Sequence, residues 1–396
     1  LSIYLPLIEA LFWVSLGLIV YTYLGYPLLI WILSRFFARQ AALPVLPEAL
    51  PRVSLLVAAY NEEGDIAKRI DNALSLDYPR ELLDIVIASD GSTDNTSAIA
   101  RKYLDRGVIL FDYEERSGKP AVLNRTIPQL RGDIVFLSDA NTLTEPDALK
   151  KLVRWFADPA VGAVCGKLVL VDAATGKNVD SAYWKYENFL KWNEGKLGAL
   201  LGSNGAIYAI RREWYPDIPD NTIVDDFVIP LRAKVVHQCK IIYETEAIAF
   251  EVAPSDIGTE FKRRARIGAG GFQAIGLLHE LLIPRFGWTS FAFWNHKILR
   301  WICPFMMILA LVTNIALMDQ PLYGWMLILQ LAFYTTAFIG NMLPAKPRVL
   351  RVLRLATMFT TMNAALLVGF FRWLMGTQRA TWHRTTRLAE AVETAK

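Results

Sequence analysis

Only three cysteines occur among the 396 residues, and Cys165, Cys239 and Cys303 stand far apart. They form neither a disulfide framework nor a zinc-ligand spacing, which suits a reducing compartment. Histidine is scarce as well, at four. His237, His279 and His296 have no partner at metal spacing and read as structural. Excess charge is missing: 42 basic against 38 acidic residues leave +4, which excludes a nucleic-acid protein held by a basic face. No Gly-x-Gly-x-x-Gly follows the first strand-like run, and no Gly-x-x-x-x-Gly-Lys-Ser/Thr occurs anywhere. Nicotinamide cofactors and P-loop chemistry therefore lack their usual cradle.

Apolar residues are plentiful. They make up 54% of the chain against 20% charged, with a mean hydropathy of +0.28. Soluble domains run at roughly 45–50% apolar and about 25% charged, so part of this chain belongs in lipid. Twelve tryptophans fit clusters at membrane interfaces. Disorder and a plain soluble enzyme are both excluded.

From Leu11 to Phe37 the single charged residue is Arg35, and the run ends in Arg39 and a linker, Leu43-Pro44-Val45-Leu46-Pro47. A hydrocarbon core of about 30 Å needs roughly 20 such residues. A cleaved signal peptide fits less well, since its apolar core runs roughly 7–15 residues with basic residues on the other flank. Leu1 in place of Met suggests a trimmed start. Trp301–Met318, Pro321–Pro344 and Leu355–Phe371 are further candidate spans. The loop at Asp319-Gln320-Pro321 has no basic residue, whereas Lys346, Arg348, Arg351 and Arg354 follow Pro344. That bias, with Arg35 and Arg39, places everything from about Arg52 to Arg300 in the cytoplasm. If Leu355–Phe371 crosses, Arg372, Arg379, Arg384 and Arg387 lie outside against the charge rule; a re-entrant or surface-lying helix keeps them inside. The expected organisation is a transmembrane helix (1–40), a linker (41–52), an α/β domain (53–255), an interfacial amphipathic segment (256–290), transmembrane helices (291–376) and a basic tail (377–396).

Between about Val53 and Phe250 short apolar strands alternate with amphipathic helices. Strands are predicted at Val53–Ala59, Leu83–Ala88, Val108–Phe111 and Asp133–Ser138, with helices at about Asp65–Ser75 and Asn95–Leu104. Such alternation argues for a parallel, doubly wound sheet whose ligands bind beyond the strands' carboxyl ends. Polar residues gather there: Asn61-Glu62-Glu63, Asp90 and Asp139-Ala140-Asn141. Ser181–Leu200, with Trp184, Tyr186, Phe189 and Trp192 beside Lys185, Lys191 and Lys196, reads as an amphipathic helix at the membrane surface, aromatic in and lysine out. An aromatic platform for a sugar acceptor is the functional alternative.

Asp139 and Asn141 flank one residue at a strand end, where both can reach a hard cation bridging a diphosphate. The bland alternative is a turn residue and a helix cap. Asp225-Asp226 offers a carboxylate whose neighbour's charge suits it to serve as a base, or else a helix N-terminus with two dipole-favoured acids. Lys119, in Ser117-Gly118-Lys119-Pro120, can meet a phosphate. Within Lys262-Arg263-Arg264-Ala265-Arg266, Arg264 and Arg266 can clamp a diphosphate or bind anionic lipid headgroups.

In this order the motifs resemble the family 2 glycosyltransferases, in the membrane-embedded branch that includes cellulose, hyaluronan, poly-N-acetylglucosamine and chitooligosaccharide synthases. The resemblance runs from about Val53 to Gln273 and into the flanking membrane segments. It implies a GT-A fold, Rossmann-like with a mostly parallel sheet, flanked by transmembrane helices. Val57-Ala-Ala-Tyr60-Asn61-Glu62 looks like the family's opening strand and nucleotide-binding turn, which puts Ala59, Tyr60, Asn61 and Glu62 at the donor. Ser89-Asp90-Gly91-Ser92-Thr93-Asp94 looks like the Asp-Gly-Ser motif, whose first acid contacts the nucleoside. Ser117-Gly118-Lys119 with Asn124 resembles the Gly-Lys…Asn segment near the diphosphate, and Asp139-Ala140-Asn141 falls at the Asp-x-Asp metal position. Gly202-Ser203-Asn204-Gly205 resembles the glycine-containing loop near the acceptor. Val224-Asp225-Asp226 falls at the Thr-Glu-Asp position, with Asp226 as base, and Arg263–Ile267 at the Gln-x-x-Arg-Trp position.

Three departures stand out. Asn141 replaces an acid, which removes a charge from the cation site. Asp225 is shorter than Glu. Arg263 and Ile267 replace Gln and Trp, so a residue of the processive members' pattern is gone. The resemblance implies an inverting single displacement from a nucleotide-sugar, a UDP-sugar above others, with Mg2+ or Mn2+. The acceptor is a saccharide, or a lipid-linked acceptor that receives a single sugar. Implied surroundings are membrane lipids at the cytoplasmic face of a bacterial inner membrane, no nucleic acid, and an accessory subunit left unidentified. A non-catalytic nucleotide sensor on the same sheet is the competing class.

Overall fold

A computed structural model describes residues 4–38, 43–172, 175, 178, 182–253, 257–342 and 351–380. Most of the loop after Pro344, with Lys346 and Arg348, lies outside them, as do Arg39, Ser181 and the tail with Arg384 and Arg387.

The first apolar run is helical as α1 (Leu5–Val20) and α2 (Tyr26–Phe37), joined by a π-helical turn at Tyr21–Gly25. Pro27 supplies no N–H to the preceding turn and its ring crowds the carbonyl four residues back, and the widened turn lies just there. Then comes the alternation the sequence predicts: β1 (Val53–Ala59), α3 (Ile66–Leu74), β2 (Leu83–Asp90), α4 (Thr96–Arg101), β3 (Val108–Tyr113), α5 (Lys119–Thr126) and β4 (Ile134–Asp139). β1 is buried along its whole length, so apart from Ser54 it reads as an apolar run rather than an alternating one.

Beyond β4 the pattern changes. β5 (Leu143–Thr144), α6 (Ala148–Val153), β6 (Val161–Val171), α7 (Ala182–Lys196), β7 (Tyr208–Arg211), α8 (Asp225–His237) and β8 (Lys240–Val252) follow. One sheet results, in the order β3-β2-β1-β4-β7-β6-β8-β5. Its first half is parallel: β1 pairs with β2 and β4, and β2 with β3. The second half is mixed, because β7 runs antiparallel to both β4 and β6, and β5 to β8, while β6 and β8 are parallel. The β1 register sets Ala59 beside Ser89 and Ala58 beside Asp139, so the ends of β1, β2 and β4 share one sheet edge.

The expectation of aromatic-in, lysine-out for the Ser181–Leu200 helix is corrected on α7. Lys191, Asn193 and Glu194 are buried, whereas Phe189 and Trp192 are 38% and 45% exposed. The polar side chains turn inward because polar partners wait there. Lys191 Nζ donates to Asn204 Oδ1 at 2.6 Å, and Ser34 Oγ donates to Asn193 Oδ1 at 2.7 Å. Trp184 alone of the aromatic set packs against the sheet's core cluster.

The remaining helices are α9 (Ile257–Leu277), α10 (Trp288–Ala292), a π-helical turn at Phe293–Ile298, α11 (Leu299–Ala316), α12 (Pro321–Met342) and α13 (Arg351–Leu374). The second apolar helix thus starts at Trp288. His296, Lys297 and Arg300 had hidden its first turns from a hydropathy reading. Four stretches are long and apolar enough to cross a membrane: Leu5–Phe37, Trp288–Ala316, Pro321–Gly340 and Leu355–Leu374. Contacts divide the chain into a helical unit, Leu1–Ile30 with Ile257–Ile275 and Phe293–Gln378, and an α/β unit, Trp31–Asp256 with Gly276–Ala292. Cys165, Cys239 and Cys303 are free and buried.

Candidate active site

At the end of β1, Asn61 takes a left-handed φ of +53°, a conformation asparagine tolerates better than most residues. Its N–H donates to Ser92 Oγ at 3.2 Å, and its Oδ1 accepts from the Thr93 N–H at 2.8 Å. The Glu62 N–H donates to Thr96 Oγ1 at 2.7 Å, and the Asn95 N–H to Glu63 Oε2 at 3.1 Å. The turns after β1 and β2 therefore lock each other. Tyr60 stays partly exposed, with the Arg116 guanidinium 3.7 Å above its ring centroid. Ala59, at the end of β1, is fully buried, and Glu62 in the following turn is nearly so.

Asp90 is fully buried, and both carboxylate oxygens are taken: Oδ1 by the Ser117 N–H at 2.7 Å and Oδ2 by the Gly118 N–H at 2.9 Å. Its place in this structure is to hold the loop that starts α5. Gly91 makes that closeness possible, since at φ +65° a Cβ would fall 2.7 Å from the Arg116 nitrogen. Gly118, at φ +93°, then turns the chain so that Lys119 opens the helix.

Lys119 is the hub. Its Nζ donates to Asp139 Oδ1 at 2.7 Å and lies 3.6 Å from Asp225 Oδ2. Burial alone would lower its pKa, but Asp139, Asp225 and Asp226 together hold it above the ordinary lysine range. Asp225 is buried, and its Oδ2 accepts no hydrogen bond. Asp226 follows in the first turn of α8, where the helix dipole favours an anion. Its Oδ2 accepts from the Gly205 N–H at 3.0 Å, and its carbonyl accepts from the Ser203 N–H at 3.0 Å and from Ser203 Oγ at 2.7 Å. Burial pushes the Asp226 pKa up, Asp225 and Asp139 add to the rise, and Lys119 with the Gly205 N–H opposes it.

Gly205 joins the two acid groups. A Cβ there would stand 3.2 Å from Asp139 Oδ2 and 3.4 Å from Lys119 Nζ, while its own N–H reaches Asp226. Asp139 and Asp226 thus flank one residue. Among the described residues no three of His, Cys, Asp and Glu cluster to hold a metal ion. Asp139 and Asn141 offer two hard oxygen-bearing side chains just past β4, and the missing Cβ of Gly205 keeps the space before Asp139 clear. That set fits a cation that shares oxygens with a diphosphate. Asn141 is tethered, since its Nδ2 donates to Glu251 Oε1 at 2.5 Å.

Of the residues the sequence singled out, the α/β unit brings together Lys119, Asp139, Asp225 and Asp226, with Tyr60 and Asn61 on the same sheet edge. Arg264 and Arg266 belong to α9 in the helical unit, where Arg264 Nε pairs with Glu260 at 2.7 Å. Their assignment to the diphosphate rests on the sequence. Three site residues escaped the sequence reading: Glu251, Lys191 and Tyr208. Tyr208 lies in β7 with a buried hydroxyl that makes no hydrogen bond, and burial beside Asp225 lifts its pKa far above the usual value. Strand and helix periodicity carries no trace of such partners, which meet only across the sheet.

A family model described as Glycosyl transferase family 2 matches residues 54–218. The chain is 28% identical over 246 residues to a poly-beta-1,6-N-acetyl-D-glucosamine synthase of Staphylococcus aureus, a match that spans 60% of this chain and 57% of that protein. It is 29% identical over 232 residues to a beta-monoglucosyldiacylglycerol synthase of Synechocystis, across 56% of this chain and 48% of that protein. The chain therefore spans about half the length of these curated relatives. Among solved structures, a mannosyltransferase from Pyrobaculum calidifontis in complex with GDP-Man and Mn2+ superposes with a TM-score of 0.68 at 23% identity, over 92% of this chain and 99% of that one. That likeness establishes the GT-A-like fold. The family model ends before Asp225 and Asp226, so it assigns them no role. The chain carries a glycosyltransferase family 2 domain.

Proposed function

We propose that the protein transfers a sugar from a nucleotide-sugar, a UDP-sugar in the first instance, to an acceptor hydroxyl, with inversion at the anomeric carbon. The observation that carries this reading is the flanking of Gly205 by Asp139 on one side and Asp226 on the other, with Lys119 bridging the acids. Tyr60 offers a ring for the base, and Asn61, Asp90 and Glu62 fix the turns around it. Asp139 and Asn141 are the residues that would hold Mg2+ or Mn2+, which supplies charge neutralisation for the diphosphate when bound.

The acceptor oxygen attacks the anomeric carbon as the bond from that carbon to the diphosphate oxygen breaks. The electron pair leaves with the diphosphate, and Asp226 takes the acceptor proton. Its raised pKa makes it a stronger base than an ordinary aspartate. Lys119 stabilises the departing charge, and Arg264 and Arg266 are proposed to assist. Loss of one such preorganised contact commonly costs about 10²–10³ in rate.

The spans fit a protein held in a membrane. We assign it to a bacterial inner membrane with the α/β unit in the cytoplasm, from the placement of Arg35, Arg39 and the basic residues after Pro344. Polymer or oligosaccharide assembly is the first reading of the product. A relative named as a glucosyldiacylglycerol synthase supports the second, a single addition to a lipid acceptor. A panel of UDP- and GDP-sugars scored for nucleotide release with Mn2+, and products then sized, tests both. No release from any donor by the intact protein in lipid, despite nucleotide binding, would leave the nucleotide-sensor reading in its place.

A further inference from the structure

Lys191 has no part in the scheme above, yet it is 9% exposed and sits one residue away from a contact to the base. Its Nζ donates to Asn204 Oδ1 at 2.6 Å. The partner the structure gives this ammonium is thus a neutral amide. A buried ammonium is costly unless something local answers it. What answers it here is the turn that carries Gly205. Asn204 is fixed at its other end, where Nδ2 donates to the Gly166 carbonyl at 3.4 Å, and its own carbonyl accepts from the Ile207 N–H at 3.0 Å. The next N–H in the chain, that of Gly205, donates to Asp226 Oδ2.

We propose that Lys191 is a positioning residue for the base: it fixes the Asn204–Gly205 turn whose backbone N–H holds the Asp226 carboxylate. This rests on the reading of Asp226 as base. The turn is glycine-rich on both flanks (Gly202 at φ +78°, then Gly205), so little within it resists drift once the Asn204 side chain is released. The groups that face Asp226 are Asp225 on its own helix, Lys119 from α5, Asp139 from β4, Cys165 from β6 and Tyr208 from β7. Among the described residues, Lys119 is the cation in ion-pair range of Asp139 and Asp225. Lys191 supplies no direct pair; it acts through the hydrogen bond that stabilises the ionised form of the base.

The test is the pH profile of kcat/KM for Lys191→Met, Asn204→Ala and the double variant, measured with the full chain in lipid. Each single change is expected to lower kcat about tenfold and to move the acid limb upward by about half a unit, with donor KM unchanged. The double is expected to lose no more than the worse single, because both act through one turn. An acid limb left in place in both singles, or losses that multiply in the double, overturns the proposal. If Lys191→Met fails to fold, Asn204→Ala alone decides by its acid limb. Wild-type transfer with a silent Asp226→Asn variant upholds the reading of the site whatever the Lys191 result; a wild-type protein that transfers no sugar overturns both.

Discussion

Lys119 Nζ meets Asp139 Oδ1 at 2.7 Å across the tips of a helix and a strand that lie twenty residues apart in sequence. The contact depends on Asp90, whose two oxygens anchor the loop before α5. It also sets a positive charge among three acids, Asp139, Asp225 and Asp226, and so eases their mutual repulsion. On the proposed reading, donor binding and chemistry share this cation.

Replacing Lys119 with Met removes that cation and leaves Asp139, Asp225 and Asp226 to face each other. Nucleotide affinity is expected to fall and kcat to drop by about 10²–10³. Titration with UDP beside steady-state rates measures both. A variant that keeps full rate would take Lys119 out of the leaving-group role.

The pKa of Asp226 gives a pH dependence with a definite sign. Its folded value lies above the ordinary 3.8, so the folded state holds this proton more tightly than the unfolded one. The group therefore subtracts stability as pH rises through the folded value, and activity rises over the same window as the base ionises. Asp226→Asn is expected to bind nucleotide, to lose about 10²–10⁴ in transfer rate and to melt above wild type at neutral pH, the gap closing below about pH 4. Melting curves across pH check this; lost nucleotide binding would remove Asp226 from the role of base.

How much of this could be read from the sequence follows from distance along the chain. β1 is predicted at Val53–Ala59 and found there, because a buried parallel strand announces itself as an apolar run, broken here only by Ser54. Asp139 and Asp226 are legible as motifs. What periodicity misses is the second half of the sheet, where the short β7 reverses direction between β4 and β6 and its four residues carry too little pattern to be seen. Lys191 was misread for a related reason. Spacing on a helix tells which residues share a face, but which face meets a polar loop such as Gly202–Gly205 is settled in three dimensions.

Asn141 is tied to Glu251, which makes restoration of an acid there a two-step matter. Asn141→Asp alone would set a carboxylate against Glu251 Oε1, so a lower melting temperature is expected and no gain in Mn2+ affinity. With Glu251→Gln added, the repulsion becomes a hydrogen bond, and Mn2+ should bind more tightly than to wild type. Manganese titration followed by electron paramagnetic resonance reads this without turnover. Tighter binding in the single variant would mean that Glu251 does not restrain residue 141.

Arg69 on α3 poses a different question, since its guanidinium is fully buried with one hydrogen bond, Nη1 to Asn72 Oδ1 at 3.0 Å, while Nε and Nη2 have none. Burial lowers its pKa to about 10 although Asp139 pulls the other way. Asn72 does not depend on it, because Asn72 Oδ1 also accepts from the Thr144 N–H at 2.9 Å and its Nδ2 donates to the Thr144 carbonyl at 2.9 Å. A methionine of similar reach removes a desolvated charge and strands no acceptor, so Arg69→Met is expected to melt at or above the wild-type temperature. Arg69→Ala leaves a cavity in its place and should melt several degrees lower. Were Arg69→Met to lose as much as the alanine variant, the guanidinium itself, rather than the volume it fills, would have to be holding α3 against the Asp139 loop.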